Sequence, residues 1–228
     1  MQSQIEFLRE PNKKMQKANS KKNMVYGILK EDIIGDQLKE GEILIENVLT
    51  DRFKVSKTPI REAFQQLERD GLITNIPRKG TFVTHITVKY VKGIFELREI
   101  IECGAVRLAA SMADLSELSE VKRNIQNVFE RNNQEASAAI LHSGDELHNF
   151  ICDSLKNDRL LQIYGSIMDQ ARRIRVSFLK KYTRDRLVLG HAEHLEIVNA
   201  IFARDVDRAE RAMRIHIHAT FEAIKNLI

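Results

Sequence analysis

The chain has 228 residues and three prolines, the last of which is Pro77. From Arg78 onward no residue lacks a backbone donor, so helices there can run for many turns without a break. Apolar positions recur with helical spacing through segments at roughly 88–112, 116–131, 134–156, 158–181, 190–203 and 205–227. Strand signals in this stretch are weak, which predicts an all-helical bundle of about six helices over residues 87–228, large enough for its own core. The elements before residue 86 are short and punctuated. The expected fold class is therefore mainly α, with a small N-terminal domain over residues 23–86 ahead of the bundle.

That N-terminal domain can be read element by element. MVYGILKEDIIGDQL places Val25, Ile28, Leu29, Ile33 and Ile34 on one helical face and ends near Gly35. KEGEIL reads as a turn, and ENVLTDRF as a second short helix. In VSKTPIREAFQQLERDGL, Ile60, Ala63, Phe64 and Leu67 follow the i, i+3, i+4, i+7 pattern of a third helix. Ser56 or Thr58 can cap its start, Pro59 is tolerated in the first turn, and Gly71 stops it. LITN and GTFVTHI then form two brief β-rich runs joined by IPRKG. Three helices and a hairpin with a basic tip make a winged helix-turn-helix.

One face of the third helix is apolar, and the other carries Lys57, Thr58, Arg61 and Gln65. A recognition helix needs that division, because its outer side chains must reach base edges and phosphates. Arg61 can donate bidentately to guanine, Lys57 can contact guanine or phosphate, and Thr58 with the free amides at the helix start suits a phosphate oxygen. Arg78, Lys79 and Gly80 at the hairpin tip would reach an adjacent groove or strand. The net charge of +4 is mild. Part of the excess is the run Lys13, Lys14, Lys17, Lys21 and Lys22, read as a basic extension over residues 1–22.

No run of 18 apolar residues is present, so nothing is expected to span a membrane. The first 23 residues are too charged for a secretory signal, and two cysteines do not make a disulfide framework. A cytoplasmic location is expected, with Cys103 and Cys152 as small buried hydrophobes.

Six of the seven histidines lie in the C-terminal half. Asp145, His148, Cys152 and Leu155 share an inward stripe of one helix; His194, Ile197 and Ile201 share a face of another; Ala209, Met213 and His216 do so in the last. Asp145, His148, His194 and His216 could thus converge inside the bundle. Three neutral imidazoles and a carboxylate suit a divalent Zn, Ni or Mn ion, with room for a small acid or water.

The stretch LKEDIIGDQLKEGEILIENVLTDRFKVSKTPIREAFQQLERDGLITNIPRKGTFVTHIT resembles the N-terminal domain of GntR-type bacterial transcription regulators. VSKTPIREAFQQLERDGLI and RKGTFV match that family nearly position by position. FELREIIECGAVRLAAS, DELHNFICDSLKN and HAEHLEIVNAIFARDVDRAERAMRIHI resemble the FCD ligand-binding domain, in its shorter six-helix version. The resemblance implies a homodimer on a pseudo-palindromic operator, with Lys57, Thr58, Arg61 and the wing around Gly80 at the DNA. It also implies a divalent metal held by an aspartate and three histidines, and a small organic acid as effector. Arg98, and Arg172 among Arg172, Arg173 and Arg175, are the expected carboxylate partners. The chain departs from the family at four points: Lys57 and Asn47 stand where arginine is usual, Leu147 where phenylalanine is usual, and Gly144 where the aspartate is usual, with Asp145 one residue on.

Two other readings are a metal-dependent hydrolase and a constitutive DNA-binding protein with a vestigial pocket. Against the hydrolase, His191 and His194 are three apart, which is not the HExxH order of a zinc-protease helix, and no nucleophile elbow or phosphate loop appears.

Overall fold

The computed structural model describes residues 13–129 and 135–228. It divides into two compact units at His85/Ile86, one residue from the expected boundary. Ile86 already packs into the second core.

The first unit holds α1 (Lys13–Ile34), β1 (Ile43–Leu44), α2 (Glu46–Phe53), α3 (Lys57–Arg69), β2 (Ile73–Ile76) and β3 (Gly80–Val83). Ile60, Ala63, Phe64 and Leu67 of α3 are buried and join Val25, Leu29 and Ile33 of α1 in one cluster. Each large side chain buried there contributes about 1.5–3 kcal/mol, far more than local helix propensity. Ser56 stands at the N-cap of α3, although its side chain makes no capping hydrogen bond. Past Asp70 the chain turns through Gly71 at φ +70°, a left-handed conformation that glycine adopts without penalty. At the hairpin tip Arg78 and Gly80 also take positive φ, which reverses the chain between β2 and β3.

Two expectations are corrected here. KEGEIL is not only a turn, because Ile43 and Leu44 pair antiparallel with Phe82 and Thr81, giving a three-stranded sheet in the order β1-β3-β2. The extension expected over residues 1–22 lies partly outside the described residues. Its described part, from Lys13, is the beginning of α1.

The second unit is all helical: α4 (Val88–Met112), α5 (Leu115–Phe129), α6 (Glu135–Asp153), α7 (Asp158–Phe178), a single 3-10 turn at Leu179–Lys181, α8 (Arg184–Phe202) and α9 (Val206–Lys225). Helix α8 starts six residues before the expected 190, because the Thr183 side chain accepts from the Arg186 amide and caps it there. Helix α4 packs against α6, α7, α8 and α9. Buried alanines on α4 (Ala105, Ala109, Ala110) and α9 (Ala209, Ala212) permit close approach of helix axes. Cys103 and Cys152 are free and buried, as expected. None of the described helices is long and apolar enough to cross a membrane.

Candidate functional site

In the first unit, Lys57, Thr58, Arg61 and Gln65 are exposed along α3, and Arg78 and Lys79 are exposed at the hairpin tip. None is taken up by the core. The Arg61 side chain is 62% accessible, and its Nε donates to both carboxylate oxygens of Glu46 on α2 at 2.9 and 3.0 Å. Glu46 therefore holds the guanidinium in one orientation while its terminal nitrogens stay available, a form of pre-organisation not visible in the sequence pattern. Asn47, next to it, is exposed as well.

In the second unit, His148 on α6, His194 on α8 and His216 on α9 are all buried and bring their ligand nitrogens within 4.8 Å of one another. Their ring centroids stand 4.4–5.4 Å apart. His148 Nδ1 lies 2.6 Å from Glu102 Oε2, and His216 Nδ1 lies 2.8 Å from Glu193 Oε2. A bare imidazole nitrogen would repel a carboxylate at those distances, which favours the proton on Nδ1 in both rings, although the His148 Nδ1 approach to Glu102 lacks hydrogen-bond geometry. Their Nε2 atoms then bear lone pairs, yet face each other at 3.2 Å. The His194 Nε2 is buried with no hydrogen-bond partner.

A cation among these nitrogens would relieve that contact, and Arg98 Nη2 stands 3.4 Å from His148 Nε2. Burial lowers the pKa of all three imidazoles below the ordinary 6.5, and neighbouring Arg98 lowers them further, so a proton is disfavoured. A divalent metal fits: two imidazole nitrogens on one tetrahedral zinc stand about 3.3 Å apart. His148, His194 and His216 are the residues that could hold it.

Asp145 does not join the three histidines, and this expectation is corrected. Its Oδ1 accepts from Arg175 Nη2 on α7. Position 144, one full turn before His148, is a buried glycine with His194 packed against it: a Cβ built there would lie 2.5 Å from His194 Cε1. A side chain at 144 and His194 in its present place exclude each other.

Beside the histidines lies a cavity of about 50 Å³. Ile140 and Leu187 give it apolar walls, and Arg175, Tyr182, Arg186 and Thr220 give it polar ones. Arg186 grips Glu193 bidentately, both bonds 3.0 Å, and donates to Thr220 Oγ1 at 2.8 Å. The Tyr182 hydroxyl and Arg175 Nε have no partner, and burial pushes the Tyr182 phenol up to about 12.

The expected effector arginines fare differently. Arg98 reaches the site but is wholly buried, with Nε donating to Glu102 Oε1 at 2.6 Å and Nη2 3.4 Å from His148 Nε2. Despite burial, which opposes its ionisation, Glu102 stays well below the usual carboxylate range because Arg98 and His148 flank it. Arg172 is exposed and does not line the cavity, whereas Arg175, three residues on, does. The 3.6-residue period explains the miss, since adjacent positions point about 100° apart. Arg186 was missed entirely because it lies in the first turn of α8, before the point where the periodicity became legible.

Comparison with known proteins agrees with this architecture. Residues 21–83 match the family of bacterial regulatory proteins of the gntR type, and residues 93–219 match the FCD domain. The HTH-type transcriptional repressor RspR of Escherichia coli is 27% identical over 203 residues, covering 89% of this chain and 88% of that protein. The Nta operon transcriptional regulator of Aminobacter aminovorans is 28% identical over 190 residues, covering 83% and 88%. A crystal structure of a GntR protein from Rhodococcus sp. RHA1 superposes with a TM-score of 0.75 at 21% identity, covering 92% of this chain and 99% of that one. RspR and the Nta operon protein are transcriptional regulators, which speaks against the hydrolase reading. The chain belongs to the GntR family of bacterial transcription regulators, with a winged helix-turn-helix followed by an FCD domain.

Proposed function

We propose that this regulator binds a pseudo-palindromic operator as a homodimer, and that a small organic acid bound beside a divalent metal at His148, His194 and His216 adjusts its DNA affinity. The observation that carries the reading is the convergence of three buried histidines, with their ligand nitrogens within 4.8 Å of one another, next to a cavity lined by arginines. On the DNA side, Arg61 would read a guanine, Lys57 and Thr58 would hold phosphates, Gln65 would reach a base edge, and Arg78, Lys79 and Gly80 would reach a neighbouring groove.

Charge balance around the cavity supports metal-dependent binding of the acid. Arg98 pairs with Glu102, Arg175 with Asp145 and Arg186 with Glu193, so these cations are already neutralised. When bound, the metal supplies the uncompensated positive charge and an open position for a carboxylate oxygen. Arg175, Arg186 and the Tyr182 hydroxyl would then orient the acid. A cavity this small admits an acid of only a few heavy atoms.

Self-association is supported by α4 and α9. Leu97, Ile100, Leu108 and Met112 on one face of α4, and Ile215 on α9, are 45–73% accessible. An apolar stripe of this kind marks an interaction surface. Ion pairs border it, from Arg107 to Asp207 and Glu210 and from Arg214 to Glu99 and Glu210. Helix α4 thus bears Arg98 and Glu102 on its inner face and the stripe on its outer one. A shift of α4 on ligand binding would alter the dimer and, through it, the spacing of the two recognition helices.

The test is a thermal-shift titration of zinc-loaded and metal-free protein against short mono- and dicarboxylates. One of them should raise Tm in the loaded protein and not in the metal-free one. An equal rise in both, or none in either across the panel, refutes the metal-dependent reading.

A further inference from the structure

Resting on the metal reading above, we infer that Glu102 and Glu193 are the positioning residues of the histidine centre, fixing His148 and His216 as metal-ready tautomers, while His194 is left as the adjustable third ligand. Two arginine–carboxylate–imidazole relays support this, the second closed by a hydrogen bond and the first by a close ion-pair approach. In one, Arg98 holds Glu102, which lies 2.6 Å from His148 Nδ1. In the other, Arg186 holds Glu193 through two 3.0 Å bonds, and Glu193 lies 2.8 Å from His216 Nδ1. The relays come from different helices, the first from α4 to α6 and the second from α8 to α9.

An imidazole has one proton and two nitrogens, and a metal needs the bare one. A carboxylate on Nδ1 settles which nitrogen that is, sets the ring plane, and makes the far nitrogen a better donor. Each carboxylate is fixed in turn by an arginine fork, so neither ring has to reorient when a metal arrives. His194 has no such partner among the described residues, and its Nε2 is orphaned. Gly144 and the other two rings pack against it. The second relay also reaches the cavity, because Arg186 lines it and ties to Thr220, one turn beyond His216. An anion that drew Arg186 away would loosen Glu193 and with it His216.

The experiment measures Zn²⁺ affinity by chelator competition, and imidazole ¹⁵N shifts by NMR, in the full chain and in Glu193→Gln. Arg186 keeps some solvent contact, so this change leaves no sealed unpaired charge. The variant should bind zinc about 10- to 100-fold more weakly with its metal-free Tm little changed. The unaltered metal-free chain should show the Nδ1–H form for both His148 and His216. Zinc binding by the unaltered chain with a variant affinity within twofold of it overturns the positioning role and leaves the metal reading intact. Failure of the unaltered chain to bind zinc overturns the metal reading itself. Should the variant not fold, the shifts of the unaltered chain decide: an Nε2–H form at either histidine overturns the inference.

Discussion

Replacing Gly144 with alanine separates the metal site from the stability of its helix. Gly144 sits inside α6, buried, and has no positive φ that would forbid a side chain. Alanine there gains up to about 1 kcal/mol of helix propensity. Its methyl carbon, however, would stand 2.5 Å from His194 Cε1 and 3.1 Å from Nε2. Carbon contacts are comfortable at about 3.5–4.0 Å, so the ring must retreat by about 1 Å. Metal–ligand distances tolerate only about 0.2 Å. His194 therefore leaves the ligand set, and zinc affinity should fall by about 100-fold, or about 2.8 kcal/mol. Moving the ring costs about 1–3 kcal/mol of overpacking, which the propensity gain partly offsets, so the metal-free protein should lose no more than about 2 kcal/mol. Chelator competition and a metal-free melt measure the two quantities. A folded Gly144→Ala protein with undiminished zinc affinity refutes the placement of His194 as a ligand.

Arg61→Ala should weaken binding to a selected operator by about 1–3 kcal/mol and relax specificity at one base, with zinc content unchanged; Lys57→Ala should weaken all duplexes alike and reduce the salt slope by about one. Fluorescence anisotropy on matched and single-substituted duplexes distinguishes the two. The metal-free protein should lose stability on acidification: below pH 6.5 the unfolded imidazoles take up protons that buried His148, His194 and His216, with lowered pKa, resist, so Tm should fall between about pH 7 and 5. A flat Tm over that range contradicts the burial of neutral histidines. Ile100→Asp, at the most exposed point of the α4 stripe, should halve the mass seen by light scattering while leaving the helical signal intact; an unchanged mass removes the stripe as the dimer surface.

Sequence periodicity was sufficient for most of the architecture because burial and pattern coincide. Ile60, Phe64 and Leu67 repeat at helical spacing and are the side chains that α3 buries. The absence of proline beyond Pro77 likewise corresponds to six uninterrupted helices among the described residues of the second unit. Strand β1 was not legible, since two residues carry no period and its existence depends on the partner Phe82. The three histidines could be found from the faces they share, but their fourth companion could not. Asp145 lies on the right side of α6, and only the position of Arg175 on another helix decides that its carboxylate is taken. Glu102 and Glu193 were invisible for the same reason: a carboxylate that orients an imidazole from a neighbouring helix leaves no spacing signature. Local pattern reports which face is buried, and cross-helix chemistry is fixed only by packing.

The central question for this protein is whether the histidine site governs DNA binding. Its most direct test is the affinity of zinc-loaded protein for a selected operator, measured with and without the carboxylate that raises Tm most, in the unaltered chain and in His194→Ala. The acid should change operator affinity about 5- to 150-fold in the unaltered chain, a coupling of about 1–3 kcal/mol, and leave folded His194→Ala unmoved. The same response in both proteins would contradict a governing role for the site.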